Sequence, residues 1–214
     1  MLEDIVDSVF QGDKEAVVSA VNKVLAENID PIKIMKDGLT QGLNIVGDKF
    51  EKLEVYLPEM LLSAEAVKAG VEIIKPHIKG GSIREEGVVV IGTIQGDVHD
   101  IGKNIVAFYL DACGFEVHDL GSDVPIYTFV EKAQEKQADI IGISALLTTT
   151  MTYIPDVIEE LKRRELRDKY LVMVGGGAVT EEWAKKIEAD GAGNDFAGAA
   201  RVARELMKAR RANK

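Results

Sequence analysis

The first 79 residues place their apolar side chains at helical spacing. Leu2, Ile5, Val6, Val9 and Phe10 fall on one face, and Val17, Val18, Val21, Val24 and Leu25 on another. In Asn28-Ile29-Asp30-Pro31, an Asp stands at an N-cap and a Pro at the first helical position. Glu54 to Pro58 introduces a further helix running through Leu61, Leu62, Ala66 and Val67. Four or five short helices in a two-layer bundle are predicted.

The period changes after Pro76-His77-Ile78-Lys79-Gly80-Gly81-Ser82, a stretch rich in turn formers. Val88 to Thr93, Ala138 to Ser144 and Tyr170 to Val174 are continuous apolar, largely β-branched runs, the pattern of strands buried on both faces, and helical patterns separate them. A strand and a helix repeated about five times over about 125 residues predict a parallel sheet with right-handed crossovers. The fold class expected is α + α/β: an N-terminal helical bundle cap, residues 1–80, then a flavodoxin-like (Rossmann-type) doubly wound parallel sheet, residues 87–214. Its ligand site belongs at the carboxyl ends of the strands.

Composition narrows the partners. The 214 residues carry 26 basic against 36 acidic side chains, a net charge of −10 that phosphate backbones and anionic membrane surfaces repel. Neither nucleic acid nor membrane is expected as a partner. No apolar run approaches the roughly 20 residues of a membrane span. The N-terminus MLEDIVDSVFQGD is acidic where a secretory signal is basic, and the single cysteine, Cys113, excludes an internal disulfide. A cytoplasmic location is the expectation.

Three glycine-bearing strand ends carry the candidate chemistry. Gly92-Thr93-Ile94-Gln95-Gly96 lacks the G-x-G-x-x-G order, and Gly175-Gly176-Gly177 is followed by Ala178-Val179 rather than the Lys-Ser/Thr of a phosphate loop. Glycines there let something flat or bulky approach the backbone, or pack helix tightly on sheet. Directly after the first strand comes Asp97-Val98-His99-Asp100-Ile101-Gly102. Asp97 is spaced to accept the proton of the second ring nitrogen of His99, the arrangement that orients a histidine metal ligand; a hydrogen-bonded structural histidine is the plainer alternative. His77 belongs to the linker, His118 to the end of the second strand and Cys113 to a buried helical position, so His99 has no partner ligand. A metal held by one protein ligand must arrive inside a macrocycle, a haem or a corrin.

The motif resembles the fingerprint of the cobalamin-binding proteins, typified by methionine synthase and the corrinoid proteins of anaerobic methyl transfer: Asp-x-His-x-x-Gly, Ser-x-Leu, Gly-Gly. Here these are Asp97, His99 and Gly102, then Ser144 and Leu146, then Gly175 and Gly176, with 41 and 28 residues between the three elements. The helical half is similar to the cap that precedes the corrinoid domain in methyltransferase subunits, through Gly42-Leu43, Val46-Gly47, Phe50-Glu51 and Tyr56-Leu57-Pro58-Glu59-Met60. The resemblance implies cobalamin or a related corrinoid as cofactor, with His99 replacing the tail base as lower axial cobalt ligand. It implies a relay of His99, Asp97 and Thr150, with Thr148 as the competing hydroxyl. Asp97, Val98, His99, Asp100, Ile101, Gly102, Ser144, Leu146, Thr148, Gly175, Gly176, Gly177 and Gly191 are its cofactor-binding set, and Ser144 the hydroxyl that contacts the buried tail. Relatives often carry an aromatic after Asp-Gly, where this chain has Asp190-Gly191-Ala192-Gly193.

The activity implied is that of a methyl carrier between a substrate-specific methyltransferase and an acceptor methyltransferase using tetrahydrofolate or a thiol, with a reductive activase as a further partner. The carrier is not expected to be catalytic alone. Two alternatives share the fingerprint: the small subunit of an adenosylcobalamin-dependent mutase, which usually lacks such a cap, and a cobalamin-based sensor. Residues 1–86, with 10 basic and 16 acidic side chains, contain no basic helix-turn-helix of the kind a DNA-reading sensor needs.

Overall fold

A computed structural model describes residues 1–77, 86–193 and 195–212. Two compact units divide the chain, Met1–Glu85 with Ala112–Gly114 and Glu86–Asp111 with Phe115–Lys214. Of the expected boundary segment, residues 78–82 lie outside the described residues; Lys75–His77 form a single 3-10 turn.

The first unit is helical. Helix α1 (Leu2–Phe10) buries Ile5 and Val9. Helix α2 (Lys14–Ala26) starts where the Asp13 carboxylate accepts the Ala16 amide at 2.9 Å, and it buries Val17, Val21 and Val24. Asp30 caps α3 (Pro31–Ile34) at the Ile32 amide, with Pro31 in the first turn as the sequence pattern predicts. The backbone then widens into a six-residue π-helix, Met35–Thr40, before α4 (Gln41–Glu51). A Cβ at Gly38, inside that π segment, would lie 3.1 Å from Ile5. Helix α5 (Leu57–Ile74) packs on α2, and Leu39, Leu43, Met60 and Val67 complete the core.

The second unit is a five-stranded parallel sheet in the order β2-β1-β3-β4-β5. Its strands are β1 (Gly87–Thr93), β2 (Phe115–Asp119), β3 (Ile140–Ser144), β4 (Leu171–Gly175) and β5 (Gly191–Gly193). This is the doubly wound order expected from the alternating pattern. Helices α7 (Ile126–Glu135), α8 (Ile154–Arg163) and α9 (Glu181–Lys186) cover one face, closing a core that includes Val90, Phe129, Ile141, Ile158 and Val172. Helices α6 (Ile101–Ala112) and α10 (Phe196–Ala212) stand over the other. Cys113 falls one residue beyond α6 and is buried. No helix among the described residues is long and apolar enough to cross a membrane.

Candidate functional site

The parallel register aligns Thr93, Ser144, Gly175 and Gly193 in one row at the carboxyl edge of the sheet. From that row β1 leads through Ile94 and Gly96, a glycine with φ of +82°, into the Asp97–Asp100 loop and α6.

Asp97 organises the loop. Its side chain is wholly buried and is shared among five donors. Oδ1 accepts the His99 amide at 3.0 Å and faces His99 Nδ1 at 2.8 Å. Oδ2 accepts the Leu146 amide at 2.9 Å, the Leu147 amide at 3.2 Å and the Thr150 hydroxyl at 2.7 Å. Burial raises the carboxyl's pKa, but hydrogen bonds from Thr150, from the His99 amide and ring and from the Leu146 amide outweigh it, holding Asp97 well below the usual carboxylate range. An anion at Oδ1 assigns the ring proton to Nδ1 and leaves Nε2 with its lone pair. The ring itself is 47% exposed. Thr93 ties down the back of the loop through its hydroxyl, which donates to the His99 carbonyl at 3.3 Å.

Beside the ring opens a cavity of about 780 Å³, lined among others by His99, Gly102, Ser144, Leu146, Gly177 and Phe196. A Cβ built at Gly102 would meet no protein atom within 4 Å, so packing within the protein does not demand glycine there. At Gly176, φ is +106° and a Cβ would fall 2.2 Å from the Ala145 carbonyl, which makes glycine obligatory for the backbone itself. Val98 (70% exposed), Ile101 (77%) and Leu146 crowd the mouth with uncovered hydrocarbon.

Most expected site residues converge here. Asp97 to Gly102, Ser144, Leu146, Thr150 and Gly175 to Gly177 lie on the loop, at the cavity or in the Asp97 network. Of the two competing hydroxyls, Thr150 reaches Asp97; Thr148 is exposed and outside the cavity lining. Gly191 sits within β5 opposite Met173, where a Cβ would strike Val202 of α10, so it serves helix packing rather than the cavity surface. His118 faces Glu116 on β2 at 3.0 Å.

One element went unanticipated. Lys103 is buried, and its ammonium sits between both oxygens of Asp119, which also accepts the Gly121 amide. A lysine directly after Gly102 and an aspartate ending β2 were the available signal. Phe196, Ala199 and Ala203 of α10, which close the cavity, carry no motif.

Among the described residues no three His, Cys, Asp or Glu side chains converge as a metal cage. One histidine nitrogen at the mouth of an apolar slot suits a metal that brings its own equatorial ligands, and a flat macrocycle suits the exposed hydrocarbon and the open space at Gly102. The fold and site thus define a macrocyclic-cofactor protein of the doubly wound class. The chain belongs to the B12-binding family: one B12 binding domain matches residues 87–207 and another residues 1–75. It is 46% identical over 207 residues to dimethylamine corrinoid protein 3 of Methanosarcina acetivorans, covering 97% of each chain. It is 47% identical to trimethylamine corrinoid protein 2 of the same organism, over 86% of each. Among solved structures, a cobalamin-binding protein from Desulfitobacterium hafniense superposes with a TM-score of 0.84 at 29% identity, covering 96% of this chain and 98% of that one. The methanol:cobalamin methyltransferase complex of Methanosarcina barkeri superposes with a TM-score of 0.82 at 31% identity, covering 97% of this chain and 79% of that one. The cofactor is cobalamin or a related corrinoid.

Proposed function

We propose that the chain carries a methyl group between two partner enzymes, a substrate-specific methyltransferase that loads it and a second methyltransferase that passes the group to tetrahydrofolate or a thiol. A reductive activase keeps the cofactor competent. When bound, the corrinoid supplies a cobalt that accepts and releases the methyl group. Two kinds of relative support this reading, the methylamine corrinoid proteins and the methanol:cobalamin methyltransferase complex.

The observation that carries it is the Asp97 hub. Asp97 Oδ1 holds the Nδ1 proton, so His99 would offer Nε2 to the cobalt. Thr150 and the Leu146 and Leu147 amides fix Oδ2, which limits rotation of carboxylate and ring together. The Asp97 carboxylate would keep the ring oriented toward the cobalt through the same Nδ1 bond. Val98, Asp100, Ile101, Gly102, Ser144, Leu146 and Gly175 to Gly177 hold the corrin and its tail, within an α/β domain of residues 87–214. The helical domain, residues 1–80, is the cap domain of the carrier.

The test is methyl transfer with and without a partner. Reduced holoprotein alone will not demethylate methylamines, methanol or methoxyarenes; adding the cognate methyltransferase will change the corrinoid absorption spectrum to that of the methylated cofactor. Sustained turnover by the isolated chain overturns the carrier reading. Carbon-skeleton rearrangement with adenosylcobalamin and a large partner subunit would replace it with the mutase.

A further inference from the structure

The loop that carries His99 is gripped at both ends by one short segment, residues 119–124, at the end of β2. At the entry, Asp123 Oδ1 accepts the Gly96 amide at 2.7 Å and the Asp123 amide donates to the Asp97 carbonyl at 2.9 Å. At the exit, both oxygens of Asp119 hold the ammonium of Lys103, in the first turn of α6. Between the grips the Thr93 amide donates to the Gly121 carbonyl and the Val124 amide to the Thr93 carbonyl, each at 3.0 Å, which fastens the segment to the end of β1. His99 stands inside this frame, two residues after Asp97 and four before Lys103.

Neither grip is what stability alone would select. Asp123 holds a φ of +54°, a left-handed backbone that is disfavoured for residues with a Cβ and persists where the surroundings over-determine it. The Lys103 side chain is wholly buried at the end of a helix whose amide dipoles oppose a cation. Its stem lines the cavity, a task that hydrocarbon performs without a charge. Asp119, 41% exposed, pairs with it while still partly in water. Buried ion pairs add little stability over hydrocarbon of the same shape, and fixing register is their best-attested use. The register fixed here is that of the loop between the two carboxylates.

We infer that Asp119 and Asp123 are positioning residues for the axial ligand, holding the backbone on both sides of His99 so that Nε2 stays within reach of the cobalt. The inference rests on the proposed reading of His99 as that ligand. Asp97 governs how the ring is turned; Asp119, through Lys103, and Asp123 govern where its backbone stands. A ring turned correctly on a loosened backbone binds the metal more weakly.

The test pairs Lys103→Met with Asp123→Gly, which removes both grips together with one positive and one negative charge. In the apoprotein, exchange of the His99 backbone amide is expected to quicken at least about tenfold. In the holoprotein, the cobalt(II)/cobalt(I) midpoint potential is measured by spectroelectrochemistry. Cobalt(I) binds no axial nitrogen, so reduction releases the ring, and ligation of cobalt(II) weakened about tenfold raises the midpoint by about 59 mV. Asp123→Gly alone, at an exposed position, is expected to move it in the same direction. Asp123→Asn keeps the accepting oxygen without the charge, and Arg210→Ala loses bonds to the Asp139 and Lys169 carbonyls at the amino edge of the sheet; both are expected to leave the midpoint unchanged. An unmoved midpoint or an unchanged exchange rate in the paired variant overturns the positioning role, and so does an equal rise in Asp123→Asn or Arg210→Ala. If the unaltered protein and His99→Ala share one midpoint, the reading of His99 itself falls and the positioning role with it, whatever the exchange of the apoprotein shows.

Discussion

The two ends of the β-sheet use one device for different purposes. At the amino edge, Asp139 accepts the Val88 amide at 3.0 Å and Asp190 the Val172 amide at 2.7 Å, each carboxylate tying one element to a neighbouring strand. Arg210 adds bonds to the Asp139 and Lys169 carbonyls, and Arg167 to the Tyr170 and Glu188 carbonyls and to Asp190. At the carboxyl edge Asp97 gathers donors in the same way, but one of them is a half-exposed imidazole with a nitrogen left over. The arginine clamps bind only the protein, whereas the carboxyl-edge hub keeps one valence for a ligand. A buried carboxylate stitching loops together becomes functional when one of its partners retains an unused face toward a cavity.

Removing each hub separates the two roles. Asp97→Ala strands three amides, a hydroxyl and the His99 ring in or beside the interior, and should lower stability by about 3–5 kcal/mol in urea unfolding of the apoprotein. A loss under about 1 kcal/mol would show that the hub is dispensable for folding. Because the native carboxyl is held below its ordinary range, its stabilisation is present in full above the unfolded value and is lost as pH falls toward the native one. The stability gap between the unaltered protein and Asp97→Asn should therefore hold from about pH 8 to about pH 5 and narrow below about pH 4. A gap that widens with acid would reverse the assignment.

Arg210→Ala should cost about 1–2 kcal/mol and leave corrinoid affinity unchanged, because the bonds it loses lie at the amino edge. A parallel loss of affinity would mean that the two edges are coupled. Thr150→Val removes one donor to Asp97 and should cost about 1 kcal/mol, largely restored by Thr150→Ser. Calorimetry on the pair decides whether hydroxyl or methyl matters.

Patterns local in sequence were legible. Long β-branched runs such as Val88 to Ile91 read as buried strands, and Asp30-Pro31 read as a helix start, because their physics involves near neighbours. The pairing of Asp97 with His99 was equally plain at a separation of two residues. Thr150 required the resemblance, since 53 residues separate it from Asp97. Strand β5, Gly191–Gly193, offers no hydrophobic run, and only its ladder to β4 defines it. The pairing of Lys103 with Asp119 and the α10 wall of the slot could not be assembled from the sequence for the same reason: they exist only when distant elements converge. The π-helix at Met35–Thr40 likewise has no local sequence pattern of its own.

The central claim is that His99 is the lower axial ligand of the cobalt. Electron paramagnetic resonance of the cobalt(II) holoprotein, prepared with nitrogen-15 histidine in the protein and ordinary nitrogen in the corrinoid, tests it directly. Superhyperfine doublets from the labelled ring are predicted, absent in His99→Ala. Triplets from an unlabelled nitrogen, or doublets that survive in His99→Ala, would contradict it.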